Sequence, residues 1–213
     1  MEALDRVVIS HNWITIIFVS AMLLLFALKL KDQKQLSGYT KAFFMKGFVE
    51  KKAEEKLDFF SLFNFLIFIF STTIVSLTLL IVIAELSSQY LISFSSFKKI
   101  FGLVFVYFLI FIGIDLLVSS IFQIKNELKC FVAAKIAYLY NVALWTFPLL
   151  IITIYGFNNA YILTITSIAL LLLSIMLVFI NNKKLIVNKL FYFILYICAL
   201  EIAPFLIFYK ITI

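Results

Sequence analysis

Two carboxylic acids, an amide and an amine lie inside long apolar runs of this chain: Asp115, Glu201, Asn141 and Lys135. An ionisable side chain at bilayer depth costs a few kcal/mol on insertion scales, so each calls for a partner, a proton or a water-filled cavity. Asp115 lies about nine residues from one end of its run and Glu201 about eleven from the corresponding end of its own, which at 1.5 Å per residue puts both near mid-bilayer. They could occupy one layer. Lys135 is about four residues into its run, and either snorkels to the nearer surface or reaches toward Asp115.

Asn141 belongs to a longer pattern. Tyr138, Asn141, Trp145 and Pro148 follow one another at spacings of three, four and three, which aligns them on one face of a helix. Pro148 leaves the carbonyl of Leu144 without its usual donor, and Pro204 does the same for Leu200 beside Glu201. Ser61, Asn64, Thr72 and Ser76 fall within a sector of about 120° on another helix, and Thr164, Ser167 and Ser174 line a third. Polar stripes of this kind are mostly packing faces. Three readings of the acids stay open: neutral, hydrogen-bonded core groups joining helices, a proton or ion pathway, or a docking face for a partner's transmembrane helix.

Other chemistry is excluded by residue count. The chain has one histidine, His11, whereas a His-Glu-x-x-His metalloprotease needs two. An intramembrane serine protease would need a histidine base within a span, an aspartyl protease would need two intramembrane aspartates, and glycine-rich phosphate-binding motifs are missing. Cys130 and Cys198 form neither a disulfide framework nor a metal-ligand spacing. The expectation is a chain that is not an enzyme, with no catalytic residue, cofactor or metal.

The elements that position these groups follow from composition. Of 213 residues 65% are hydrophobic and 14% charged, against about 25% charged in a soluble domain. Six apolar runs, 13–30, 59–84, 100–124, 131–155, 160–180 and 190–209, are each long enough to cross ~30 Å of hydrocarbon as a helix. They are apolar on every face, which disfavours the ~10-residue alternation of a β-barrel. The fold class is therefore an all-α polytopic transmembrane bundle of about six spans, a single membrane domain over 1–213. The N-terminal segment, with Glu2, Asp5 and Arg6 and no cleavage site, does not read as a removable signal peptide.

With the N-terminus outside, Lys29, Lys31, Lys34, Lys41, Lys46, Lys51, Lys52, Lys56, Lys125, Lys129, Lys183, Lys184 and Lys189 are cytoplasmic. That is 13 of the 18 basic residues, with Arg6, Lys98, Lys99 and Lys210 outside, as the positive-inside rule requires. Both termini are expected outside, and the +7 charge speaks of topology, not of nucleic acid. The one sizeable hydrophilic stretch, 31–58, mixes rings with lysines. Tyr39, Lys41, Phe43, Phe44, Lys46 and Phe48 are expected to contact the membrane surface, with rings buried and ammonium groups on anionic lipid. Leu36, Tyr39 and Phe43 share a helical face, but Met45 and Phe48 do not. The alternatives are a partner-docking segment and an ordinary loop.

The last run reads Leu195-Tyr196-Ile197-Cys198-Ala199-Leu200-Glu201-Ile202-Ala203-Pro204. It resembles the C-terminal signature of an uncharacterised family, a domain of unknown function, of multi-spanning inner-membrane proteins in Bacteroidota. The basic, aromatic loop and the proline-bearing fourth span agree with that layout. The resemblance implies a bacterial cytoplasmic-membrane protein without assigned activity and singles out Tyr196, Cys198, Glu201 and Pro204. Asp115, Asn141, Glu201, Tyr138, Lys135 and Tyr196 are thus the candidate intramembrane polar network. The expected partners are the lipid bilayer and either membrane proteins or further copies of the chain. The function expected first is a subunit or assembly factor of a larger envelope complex. A small secondary transporter or proton conductor comes second, and a lipid-modifying enzyme third.

The lysine bias makes a topology prediction. In intact cells, Ser37→Cys should resist an impermeant external thiol reagent, and labelling from outside would reverse the orientation.

Overall fold

A computed structural model describes residues 12–44, 61–86, 92–121, 125–157 and 160–181, with the side chains at 86, 111, 112, 114–121, 125–131, 157, 160 and 181 outside that description. Every regular element among the described residues is helical: α1 (Asn12–Lys31), α2 (Gln33–Thr40), α3 (Leu62–Leu86), α4 (Phe94–Ile121), α5 (Lys125–Ile152) with a π-helical turn at Thr153–Phe157, and α6 (Ala160–Asn181). Four stretches, Asn12–Lys31, Leu62–Glu85, Val132–Gly156 and Tyr161–Ile180, are long and apolar enough to cross a membrane. The chain is a helical integral membrane protein. Hydrocarbon offers backbone groups no partner, so a spanning segment must satisfy them internally, and long helices are what these sequences form.

Local signals set the ends. Ser93 Oγ accepts from the backbone N–H of Ser96 at 3.2 Å, an N-cap, so α4 starts six residues before the apolar run expected at 100. Its first turns carry Lys98 and Lys99 on the exposed side, with the Lys98 ammonium 5.2 Å from the Phe94 ring centre. Charged side chains break an apolar run without breaking a helix. Lys29 and Lys31 in the last turn of α1 complement the negative end of the helix dipole. Beyond Pro148, α5 ends in the wider π turn, where Thr153 Oγ1 donates to the Leu149 and Leu150 carbonyls at 2.9 and 3.0 Å.

The helices alternate in direction. At one end Trp13 lies about 6 Å from Phe94 and Phe97, and Thr15 is hydrogen-bonded to the Tyr155 hydroxyl at 2.7 Å. The starts of α1 and α4 therefore meet the end of α5. At the other, which we call the loop end, Leu28, Phe63 and Val178 share a core with Tyr39, Ala134 and Tyr138. Between them Phe147 packs edge-on against both Phe18 and Phe70, fixing a middle layer. The hydrophilic stretch after α1 and the start of α5 fall at the same end, as alternating spans require.

α3 is the axis, packing against α1, α4, α5 and α6. Its span is 56% buried, against 28% for Asn12–Lys31 and 22% for Tyr161–Ile180. The outer helices use single stripes: Ile14, Ile17, Phe18, Ala21 and Leu28 on α1, and Leu163, Ser167, Ser174 and Val178 on α6. Ile165, Leu172 and Met176 face outward, where lipid supplies an apolar surround. On α3, Thr72, Thr73, Ser76 and Thr78 each donate to the carbonyl four residues back, at 2.6–2.8 Å. Such hydroxyls are satisfied within their own helix, and the polar stripe read from Thr72 and Ser76 is a packing face.

Ala143 is fully buried in the core that holds Phe18, Phe70 and Phe147, so Ala143→Leu should overpack it by about 1–3 kcal/mol. Leu172→Ala, on the outward face of α6, should change little. Thermal unfolding of the purified protein in detergent compares the two, and equal shifts would refute the packing described.

Candidate functional site

Asp32 starts α2. Its backbone is extended, and its carboxylate accepts from the Gln35 N–H at 2.9 Å, which is an N-cap. The helix then runs back into the bundle alongside α1 and α5. Leu36, Tyr39 and Phe43 are the face that turns inward. Tyr39 is 3% exposed, stacked on Phe63 at 6.2 Å and edge-on to Tyr140 at 5.6 Å. Phe43 stacks on Tyr138 at 6.2 Å. Ala134 and Ala137, both buried in the same core, leave room on α5 for a close neighbour, as small residues do between membrane helices.

A helix leaves its last carbonyls without intrahelical donors, and here they fall inside the bundle. Lys41 N–H reaches the Ser37 carbonyl at 3.2 Å, Ala42 N–H the Tyr39 carbonyl at 3.3 Å, and Phe44 N–H the Lys41 carbonyl at 2.9 Å. Asn141 completes the set. Its amide N–H₂ donates to the carbonyls of Tyr39 and Thr40, the latter at 3.1 Å, and the Trp145 indole N–H donates to Thr40 at 3.2 Å. Two side chains one turn apart on α5 thus clamp the C-terminus of a helix that precedes them by some hundred residues. Among the described residues the Asn141 Oδ1 has no hydrogen-bond partner, although the residue is fully buried, and the Ser71 hydroxyl is likewise buried without one.

Depth follows from register. Tyr39 bridges Phe63 and Tyr140, while Phe70 meets Phe147. Both levels are separated by the same seven residues on α3 and α5, so these helices run parallel and in step. Asn141 is six residues below the Phe147 layer, ~9 Å toward the loop end. On α4, Phe105 and Phe108 both pack on Phe68. The backbone of Asp115 is then seven to ten residues further on, ~10–15 Å toward the loop end, level with or below Asn141.

The residues expected at the membrane surface and those expected in the polar network therefore divide differently from their sequence grouping. Tyr39 and Phe43 turn into the protein and meet Tyr138 and Asn141, so two groups read separately form one site. The ring of Tyr39 is enclosed by protein because the face shared with Leu36 and Phe43 finds the alanine-lined surface of α5 nearer than lipid. Lys41 and Phe44 remain exposed, and Lys135 is half-buried on α5. The side chain of Asp115, and all of Tyr196, Glu201, Lys46 and Phe48, lie outside the described residues. Tyr140 belongs to the site without having been expected there. The readable signal for the pairing was Ala133-Ala134 and Ala137, a small-residue patch at the start of the fourth span.

Asn141→Ala should remove one donor from each of the Tyr39 and Thr40 carbonyls, leaving the Ala42 N–H and the Trp145 indole, at about 0.5–1.5 kcal/mol per lost bond. Backbone amides of 36–44 should exchange hydrogen faster while those of α3 keep their protection. Trp145→Phe removes one donor and keeps most of the ring, so its effect should be smaller, and unchanged exchange in both variants would refute the clamp.

No curated protein and no solved structure matches this chain. Residues 14–212 match the family described as Domain of unknown function (DUF4271). The matched stretch takes in every described element from the first turn of α1 onward, including both halves of the clamp, and the chain belongs to the DUF4271 family.

Proposed function

We propose that the chain is a non-enzymatic subunit or assembly factor of a larger envelope complex in a bacterial cytoplasmic membrane, built as a single domain of about six spans with both termini outside. The observation that carries this reading is the engagement of Asn141. The most deeply buried amide of the described bundle gives both its donors to the chain's own carbonyls, and so holds a surface in shape. The hydroxyls of Thr72, Thr73, Ser76 and Thr78, turned onto their own helix, support the same reading. A clamped α2 would present a fixed surface at the loop end, which suits a protein that organises others.

The second reading is a small transporter or proton conductor using intramembrane carboxylates. Its support is narrower: Asn141 Oδ1 and the Ser71 hydroxyl are buried polar atoms without partners among the described residues, and such groups attract water.

One pair of measurements separates them. Gentle detergent purification followed by mass spectrometry should recover the same membrane proteins in fixed ratio to the chain. Proteoliposomes holding the purified chain should pass protons no faster than empty ones. Proton flux that Glu201→Gln abolishes, in a variant that still folds, would replace the subunit reading with the conducting one.

A further inference from the structure

We propose that the outer face of α2, together with the last turn of α1, is a docking surface for anionic phospholipid headgroups. It is the face opposite the one whose rings suggest membrane contact in the sequence. Leu36 and Tyr39 point into the bundle. Lys34 and Lys41, seven residues apart and so on one side of the helix, point out and are exposed, as are Lys29 and Lys31. The one acid within 12–44, Asp32, has its carboxylate engaged by the Gln35 N–H. The charge of the surface is therefore strongly positive. Phe44, 79% exposed, adds an apolar ring beside Lys41.

Depth decides the partner. The end of α2 is held by Asn141 and Trp145, ~9 Å from the middle aromatic layer, within the level of the spanning helices. Outside the protein at that level lies lipid, out of reach of a soluble acidic protein. A lysine rooted there extends its apolar stem along acyl chains and carries its ammonium to the phosphate layer. Anionic headgroups attract each such lysine by about fivefold in binding, and the adjacent Phe44 ring occupies the acyl side of the same lipid. This inference rests on the membrane placement of the helices and is independent of the subunit reading.

Native mass spectrometry of the full chain in mild detergent, titrated with phosphatidylglycerol or phosphatidylcholine of equal acyl length, tests it. The wild-type chain should retain phosphatidylglycerol in preference. Lys34→Gln with Lys41→Gln should lower its retention by up to about 25-fold and leave phosphatidylcholine unchanged. Lys34→Arg with Lys41→Arg keeps the charge and should keep the preference, as should Lys98→Gln with Lys99→Gln at the opposite end of the bundle. Equal retention of both lipids by the wild type, or full retention of phosphatidylglycerol by the glutamine pair, would overturn the proposal. So would displacement of the lipid by inorganic phosphate as readily as by short-chain phosphatidylglycerol, which would mark a free-anion site.

Discussion

A helix that stops inside a membrane bundle leaves carbonyl groups where water cannot reach them, and this constraint organises the loop end of the protein. α2 stops at Thr40 beside the middle of α5, and backbone oxygen at such depth is tolerated only where protein satisfies it. The following turn supplies N–H groups for Ser37, Tyr39 and Lys41. The Thr40 carbonyl takes its donors from Asn141 and Trp145. Those two side chains are one turn apart because a single turn of helix brings i and i+4 onto one face, which is the spacing needed to address adjacent carbonyls.

The clamp needs α2 and α5 to be close, and the composition of α5 makes them so. Ala134 and Ala137 are buried in the core that holds Tyr39, and larger side chains there would hold α2 away. Rings then fill what the alanines leave open: Tyr39 between Phe63 and Tyr140, and Phe43 over Tyr138. Because Phe63 opens α3, the same contact ties the loop to the central helix. One polar contact thus depends on two small residues and five rings, spread over α2 and the turn after it, α3 and α5. This coupling explains why a short helix of eight residues, too short to be stable alone, persists.

The helices were legible in the sequence because twenty apolar residues admit one solution in hydrocarbon. Four of the described stretches are long and apolar enough to cross a membrane, and the described helices alternate in direction, while their ends departed where local chemistry outweighed composition. α4 begins at Phe94, since Ser93 caps it and Lys98 and Lys99 ride on its outer side. The inward face of α2 was also legible as Leu36, Tyr39 and Phe43. What covers that face was not, because periodicity reports that one side is apolar and says nothing of whether lipid or protein lies against it. That choice was made by Ala134, Ala137 and Asn141, about a hundred residues downstream. Asp115 seemed central from its place in an apolar run, yet run boundaries ignore register. The ring contacts of Phe68 with Phe105 and Phe108 move its backbone toward the loop end.

The choice of asparagine at position 141 follows from the same constraint. Two carbonyls need two donors from one side chain, without a charge that would have to be buried. A lysine would supply donors with a charge, and an ionised aspartate would oppose the carbonyl dipoles; a serine has one donor. An amide has two, held in a plane at a fixed angle, and reaches both Tyr39 and Thr40. Its cost is the remaining oxygen, which has no partner among the described residues. That oxygen is a weaker liability than the two bonds it accompanies, since without the amide the Tyr39 carbonyl would keep only the neighbouring backbone N–H and the Thr40 carbonyl only Trp145. The bundle therefore keeps one unsatisfied atom at position 141 as the smaller penalty for closing a helix within the membrane.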